Sequence, residues 1–522
     1  MINRRALLAA SAAAASATLS GCSGSSSPRG LLRVATANAP DSLDPARGQF
    51  AAAALIYKQI HAGLTDYGRD GQLGPGLAQS WSVSEDGLVW TFNLREGLFW
   101  SDGHVLNADD VVWSARRLVN PDESFADLGD FFAIKNAHAV LTGTMSPEAF
   151  GVNALDDNTV EFHLNTPLGL FPVFMREFYP FPRHVIEAHG SDWVRPENIV
   201  TAGAYTLAGQ SQNGISLVRN VYYHGFENVL IPEIQIEAVR DASTRMRLYR
   251  AGEYDLAEAP PTNQISFLQE RMGDEFRSFD APILRYLKLN HASHGLEDAR
   301  VRQALSLVID REFINREFFS GTGRTTHHVI PEMEWQEHTA QNHVPASDNR
   351  ERARSLLEEA GFDFDTHVCE IRTTIGEGER IALAIADDWS KIGVQTEQLS
   401  SYPTDVYQAV DAGDFDIAIS SFNRGLKSDP FFMLDPFESG GFADNFNWND
   451  DTFSALMREA RRLSDPSERA ETYARAERHL LDQAAIIPLL HERAHWLVAP
   501  RVIGTRNDVQ PMLWRDLNLN DQ

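Results

Sequence analysis

The chain reads as a mixed α/β protein of several domains, and three observations predict it. Short apolar runs alternate at strand period, helix-capping signals stand between those runs, and 522 residues exceed what one hydrophobic core supports. The length suggests two to four domains. Leu88 to Leu94 is the first clear strand, with Trp90 and Phe92 on one face. Asn107 then caps a helix that has Asp109 and Asp110 in its first turn and Arg116 and Arg117 in its last, as the helix dipole favours. Thr159 to Leu164 alternates again, and Val301, Leu305 and Val308 recur at helical spacing. Ser347-Asp348 opens a helix that runs through Arg352 to Ala360 and stops at Gly361, a C′ glycine. Thr366 to Arg372 and Phe415 to Ile419 are strands, and Gly103 and Gly203 suit turns. There is no repeat of solenoid period and no long charge block.

The N-terminus points outside the cytoplasm. Arg4 and Arg5 precede an Ala/Ser-rich apolar run too short to span a bilayer, ending in Leu19-Ser-Gly-Cys22, the pattern of an export signal. Cys22 resembles the lipobox cysteine of bacterial lipoproteins, which implies cleavage before it, acylation of its thiol and amine, and tethering by lipid. The alternative is an ordinary secretory signal, and Arg4-Arg5 with Leu7-Leu8 also resembles a twin-arginine signal. Residues 1–22 are thus read as a lipoprotein signal peptide and 23–30 as a Ser/Gly/Pro linker. With 73 acidic residues against 46 Lys and Arg the formal charge is −27, and losing Arg4 and Arg5 takes it to −29. Such a chain repels phosphate backbones and anionic headgroups, so nucleic acid is excluded and membrane attachment must come from lipid. With Cys22 acylated, Cys369 stands alone, no intramolecular disulfide forms, and Cys369 reads as a buried small apolar residue.

The motifs resemble one family. Gly74-Pro-Gly-Leu-Ala-Gln-Ser-Trp81 through Trp100-Ser-Asp-Gly103, running into Asn107-Ala-Asp-Asp-Val111, is similar to the signature region of family 5 extracytoplasmic solute-binding proteins, the peptide-binding subunits of bacterial ABC importers. Asn198 to Leu207, Tyr249 to Leu256, Asp298 to Arg311 and Asp414 to Ile419 match in the family's order, the first in a form most similar to the oligopeptide-binding branch. The resemblance implies a three-lobed periplasmic-binding-protein-like fold of class II type, in which two large lobes close over a ligand beside a smaller accessory lobe. Lobe I would take residues 31–52, 185–282 and 487–522, lobe II the accessory 53–184, and lobe III 283–486. Crossings between lobes would lie near Leu284 to Asn290 and Ile486 to Leu490, both apolar runs of strand character. The implied partners are an oligopeptide or peptide-like ligand and the permease subunits, the protein itself being a monomer.

The same resemblance supplies candidate ligand contacts. In the family the loop after the Asp-x-Asp-x-Ala strand carries a Gly-Trp pair and, three residues after the Trp, an aspartate that holds the ligand's α-ammonium. Here the stretch reads Ser420-Ser-Phe-Asn-Arg-Gly-Leu-Lys-Ser-Asp-Pro430. Phe422 replaces the Trp, Asn423 follows it, and Gly425 or Leu426 falls where the aspartate belongs, so the resemblance does not extend to recognition of a free N-terminus. Asp429, next to Pro430, is the acid left nearby. Arg424 and Lys427 make the loop basic, which suits an anionic ligand group or a solvated surface equally. Asn38 and Pro40, after the first strand, resemble the family's segment whose backbone pairs with ligand. Asn447 and Trp448 offer amide and aromatic groups for a wet, permissive pocket.

An enzyme is the competing class. His491-Glu-Arg-Ala-His495 satisfies the H-E-x-x-H pattern of zinc peptidases. Its flanks read as strand, where residues four apart are ~13 Å from one another and cannot share a metal. Residues 496–522 contain neither His nor Glu as a third ligand. No nucleophile elbow, P-loop or dinucleotide fingerprint occurs, and His327-His328 is a pair without further ligands nearby, so no catalytic residue, metal or cofactor is expected. A non-peptide solute remains the alternative ligand class.

Overall fold

Strand β1 (Leu31–Thr36) starts a computed structural model that describes residues 30–48, 51–69, 72–123, 132–212, 214–331, 349–423, 429–438, 445–505 and 513–520. After the helix Ala51–Ile60, which buries Leu55, Ile56 and Ile60, comes a hairpin of β2 (Thr65–Tyr67) and β3 (Leu73–Pro75). Strands β4 (Ala78–Val83), β5 (Val89–Leu94), β6 (Val152–Asp156) and β7 (Thr159–His163) form an antiparallel sheet in the order β4-β5-β7-β6. Trp90 and Phe92 share its buried face, and Phe92 meets the rings of Phe162 and Phe171 at 5.6 and 6.2 Å. The helix Ala108–Leu118 starts as its sequence requires. The Asn107 side chain accepts from the amides of Asp109 and Asp110 at 3.1 and 3.3 Å, and Asp110 accepts from the Asn107 amide, a capping box that leaves Val111 and Ala115 to the core.

The second sheet takes its strands from distant parts of the chain. After β1 come β8 (Tyr205–Gln210), β9 (Gly214–Arg219), β10 (Glu233–Ala238), β11 (Leu256–Glu258), β12 (Phe276–Leu289), β13 (Arg324–Thr325), β14 (Val368–Thr374), β15 (Gln395–Ser401), β16 (Ile417–Asn423) and β17 (Ile486–Val498). Their order is β15-β14-β16-β12-β17-β11-β1-β10-β9-β8, with β13 on β17; a small pair, β18 (Val502–Ile503) and β19 (Asn518–Leu519), lies apart. Strands β12 and β17, of 14 and 13 residues, join the two halves. Their register breaks midway: Asp280 faces Arg493, but Leu284 faces His491. One buried apolar group, including Leu289, Leu305, Ile371 and Trp389, fills the β14–β16 half, and a far larger one continues through the four-stranded sheet.

Most local expectations hold. The helix Arg350–Ala360 ends on Gly361 at φ 75°, while its expected opening at Ser347-Asp348 lies outside the described residues. Cys369 is fully buried on β14, where burial pushes its thiol up to about 12. Gly103 does make a turn at φ 88°. Gly203 has another reason to be glycine: a Cβ there would sit 2.4 Å from the Ile60 carbonyl carbon. No helix among the described residues is long and apolar enough to cross a membrane.

Candidate ligand cleft at the strand ends

Parallel pairing aligns β1, β10 and β11, and β17 runs antiparallel to β11, so all three approach the β12/β17 register break with their carboxyl ends. From the other half β14, β15 and β16 are parallel to one another and antiparallel to β12, so they approach the same break with theirs. Loops leaving strand ends carry unpaired backbone groups, and crevices outside the carboxyl ends of such strands are where open α/β sheets take ligands. Two sets of ends meeting across a two-strand crossing define a cleft whose walls belong to different halves.

The crossing is held by charge. Asp280 accepts from Arg324 at 3.0 and 2.8 Å, with Arg493 Nε 2.9 Å from the same Oδ1 that Arg324 Nε reaches. Arg285 reaches Glu492 at 2.8 Å and Glu377 at 3.4 Å. Burial raises the Glu492 carboxyl above its ordinary range, with the neighbouring Arg285 guanidinium opposing. Further along β12, burial lowers Lys288 to about 8, Asp411 opposing, and its ammonium donates to Asn445 at 2.6 Å.

On the first wall the loop after β1 is pinned. Ala37 donates its amide to Glu258 at the end of β11 at 2.9 Å, and Asp44 is tied to Arg117 at 3.3 Å and to the Trp193 indole at 3.2 Å. Asn38 and Pro40 stand on this loop, Asn38 exposed. On the facing wall Asn423 is the last residue of β16 and is exposed. Arg424, Gly425, Leu426 and Lys427 lie outside the described residues, as does Cys22.

Three other candidates are placed in packing. Phe422 is 7% exposed, with its ring against Tyr286 and Phe437 at 5.8 and 5.6 Å. Trp448 is buried against Phe446 and Phe453. Asp429 is buried too, one oxygen accepting the Phe431 amide at 3.0 Å and the other the Arg469 guanidinium at 3.0 and 2.9 Å. Its charge is therefore answered inside the fold. Asn447 takes a left-handed conformation, φ 58°, and donates to the Asn290 side chain at 2.9 Å. Sequence reasoning missed Ile375 and Tyr402, which stand just past β14 and β15, 55% and 71% exposed, joined where the Ile375 amide donates to the Ser401 carbonyl. A Tyr-Pro step directly after a strand was the available signal.

The H-E-x-x-H run is strand throughout, as its flanks predict. The His495 ring lies 2.6 Å from the Ser278 hydroxyl and 3.1 Å from that of Thr322, stacked on Phe276, while Glu492 turns to Arg285. Glu492 and His495 therefore turn to different partners and do not converge on one point.

Two walls meeting across paired crossing strands are the architecture of class II periplasmic-binding proteins. A model of the bacterial extracellular solute-binding proteins, family 5, matches residues 72–445, and the chain belongs to that family. It is similar to the probable deoxycholate-binding periplasmic protein YgiS of Escherichia coli (strain K12), 29% identical over 91% of each chain. It is also similar to the periplasmic oligopeptide-binding protein OppA of Salmonella typhimurium, 28% identical over 89% of this chain and 87% of that one. Among solved structures, the unliganded open form of the periplasmic murein tripeptide binding protein MppA superposes with a TM-score of 0.82 at 24% identity, covering 94% of this chain and 97% of that one. The protein is accordingly the exported substrate-binding component of an ABC importer, a carrier rather than an enzyme.

Proposed function

We propose that the protein is a lipid-anchored, monomeric receptor that captures oligopeptides or peptide-like solutes between two closing lobes and delivers them to membrane permease subunits. The observation that carries this reading is the convergence of strand carboxyl ends from both halves on the register break between β12 and β17. Backbone groups at such ends pair with any extended peptide, which allows capture without side-chain selectivity. The lobes are assigned as 31–52 with 185–282 and 487–522, 53–184, and 283–486. Asn38, Pro40 and Asn423 are assigned to ligand contact, together with Arg424 and Gly425. Cys22 is assigned to lipidation, with 23–30 as the tether.

A non-peptide solute is the second reading, and one observation favours it. The acid nearest the family's ammonium-binding position, Asp429, is neutralised by Arg469, and one relative is named for deoxycholate. Native mass spectrometry of the purified protein separates the two, since a closed site retains its ligand. A ladder of peptide masses supports the first, and a single non-peptide mass replaces it with the second. Cys22→Ala leaves an unprocessed or mislocalised precursor if the anchor is as assigned; normal processing and membrane fractionation of that variant would remove the lipid from the account.

A further inference from the structure

Away from the cleft, three side chains from two distant segments turn their donor atoms to one point. Asp102 and His104 stand on the turn that follows Trp100, and His184 on the first turn of the helix Arg183–His189. One oxygen of Asp102, Oδ2, lies 2.9 Å from Nδ1 of His104 and 2.8 Å from Nε2 of His184. The two imidazoles stack with centroids 4.2 Å apart and planes inclined by 29°. Within the described residues these three donor atoms all lie within 4.8 Å of one another. We propose that Asp102, His104 and His184 form a binding site for a divalent transition-metal ion of the zinc type.

The chemistry and the scaffold both suit the ion. Two imidazole nitrogens are borderline donors that favour zinc and its neighbours over calcium or magnesium, a carboxylate oxygen is an accepted third zinc ligand, and the exposure of the group leaves room for water as the fourth. With bonds of about 2.0–2.1 Å, tetrahedral ligands stand roughly 3.3 Å apart. The present 2.8 and 2.9 Å contacts therefore need to open by only about half an ångström. Each imidazole now reaches the carboxylate through a shared proton, and one cation replaces both interactions at once.

The turn is held rigid beneath the site. Trp100 is fully buried, its amide donates to the His104 carbonyl at 2.8 Å, and the Ser101 amide donates to Thr201 at 2.9 Å. The other Asp102 oxygen, Oδ1, accepts the His104 amide at 3.1 Å, which fixes the carboxylate plane. Gly103 at φ 88° permits the tight turn that sets Asp102 and His104 side by side. A bound ion ties this turn to a helix 80 residues later, so occupancy stabilises the folded chain by mass action.

The test is calorimetric titration of zinc chloride into the full mature chain, freed of any histidine tag and of retained metal. One ion per chain is expected, with a rise in thermal midpoint on addition. His104→Ala and His184→Ala each weaken binding by about tenfold or more, whereas His294→Ala, a distant exposed histidine, leaves it unchanged. The His104 side chain is 65% exposed, so its variant folds, which an unchanged metal-free thermal midpoint verifies. No saturable binding up to about 1 mM zinc, or binding indifferent to both substitutions, overturns the site and leaves a pair of surface His–Asp hydrogen bonds.

Discussion

Asp429 acquires its role from a partner forty positions away. The sequence marks it as an acid before a proline, and nothing local foretells the Arg469 guanidinium that takes up its charge inside the fold. Removing one member of a buried pair strands the other, so Asp429→Asn is expected to destabilise by about 3–5 kcal/mol, read by thermal unfolding. Ligand affinity per folded molecule should change little. For the same reason N-acetylated and free-amine forms of a bound peptide should differ by less than about tenfold, ~1.4 kcal/mol, in calorimetry. A larger loss on acetylation would require another acid in the cleft. Buried histidines give a pH dependence. Burial lowers His61, 3% exposed, to about 3, and the half-buried His291 and His495 to about 4, from an unfolded value of 6.5. The folded state holds these rings neutral, so below pH 6.5 the unfolded chain binds more protons and stability falls as pH drops toward 4. Each such ring contributes a slope of up to about 1.4 kcal/mol per pH unit. His61→Phe should shallow the fall in thermal midpoint between pH 7 and pH 5; an unchanged slope would mean His61 is accessible.

Elements with local causes were legible. Asn107 and its two aspartates announce a capped helix because every partner lies within three residues, and Asn107→Ala should cost about 1 kcal/mol. Strand extent was less legible. The sequence marks Leu284 to Asn290, Ile486 to Leu490 and the flanks of the His491 motif, yet β12 begins at Phe276 and β17 runs unbroken to Val498. Charged residues at the crossing, Asp280, Arg285, Glu492 and Arg493, break the apolar pattern, and they remain in strand because they pair across it. Gly203 shows the same limit, since its constraint is the Ile60 backbone about 140 positions earlier. Gly203→Ala forces that contact apart and should lower stability by about 3 kcal/mol, the upper end of overpacking costs. A thermal midpoint equal to wild type would mean that the two segments are free to separate.

At the scale of the molecule, an importer's receptor must both hold its solute and release it. Walls on separate halves let one closure equilibrium set both properties, because ligand contacts are complete only when the halves meet. The fold was legible because family motifs run along most of the chain. The cleft was legible only in part, since its walls combine strand ends from residues as far apart as Thr36, Glu258 and Asn423, and such a surface has no contiguous signature. Closure is the central claim, and small-angle scattering on the mature protein tests it most directly, using the solute recovered by native mass spectrometry at a concentration that calorimetry verifies as saturating. The radius of gyration should fall and the scattering profile sharpen toward a more compact particle on addition. An unchanged profile at saturation would contradict a cleft that works by closing.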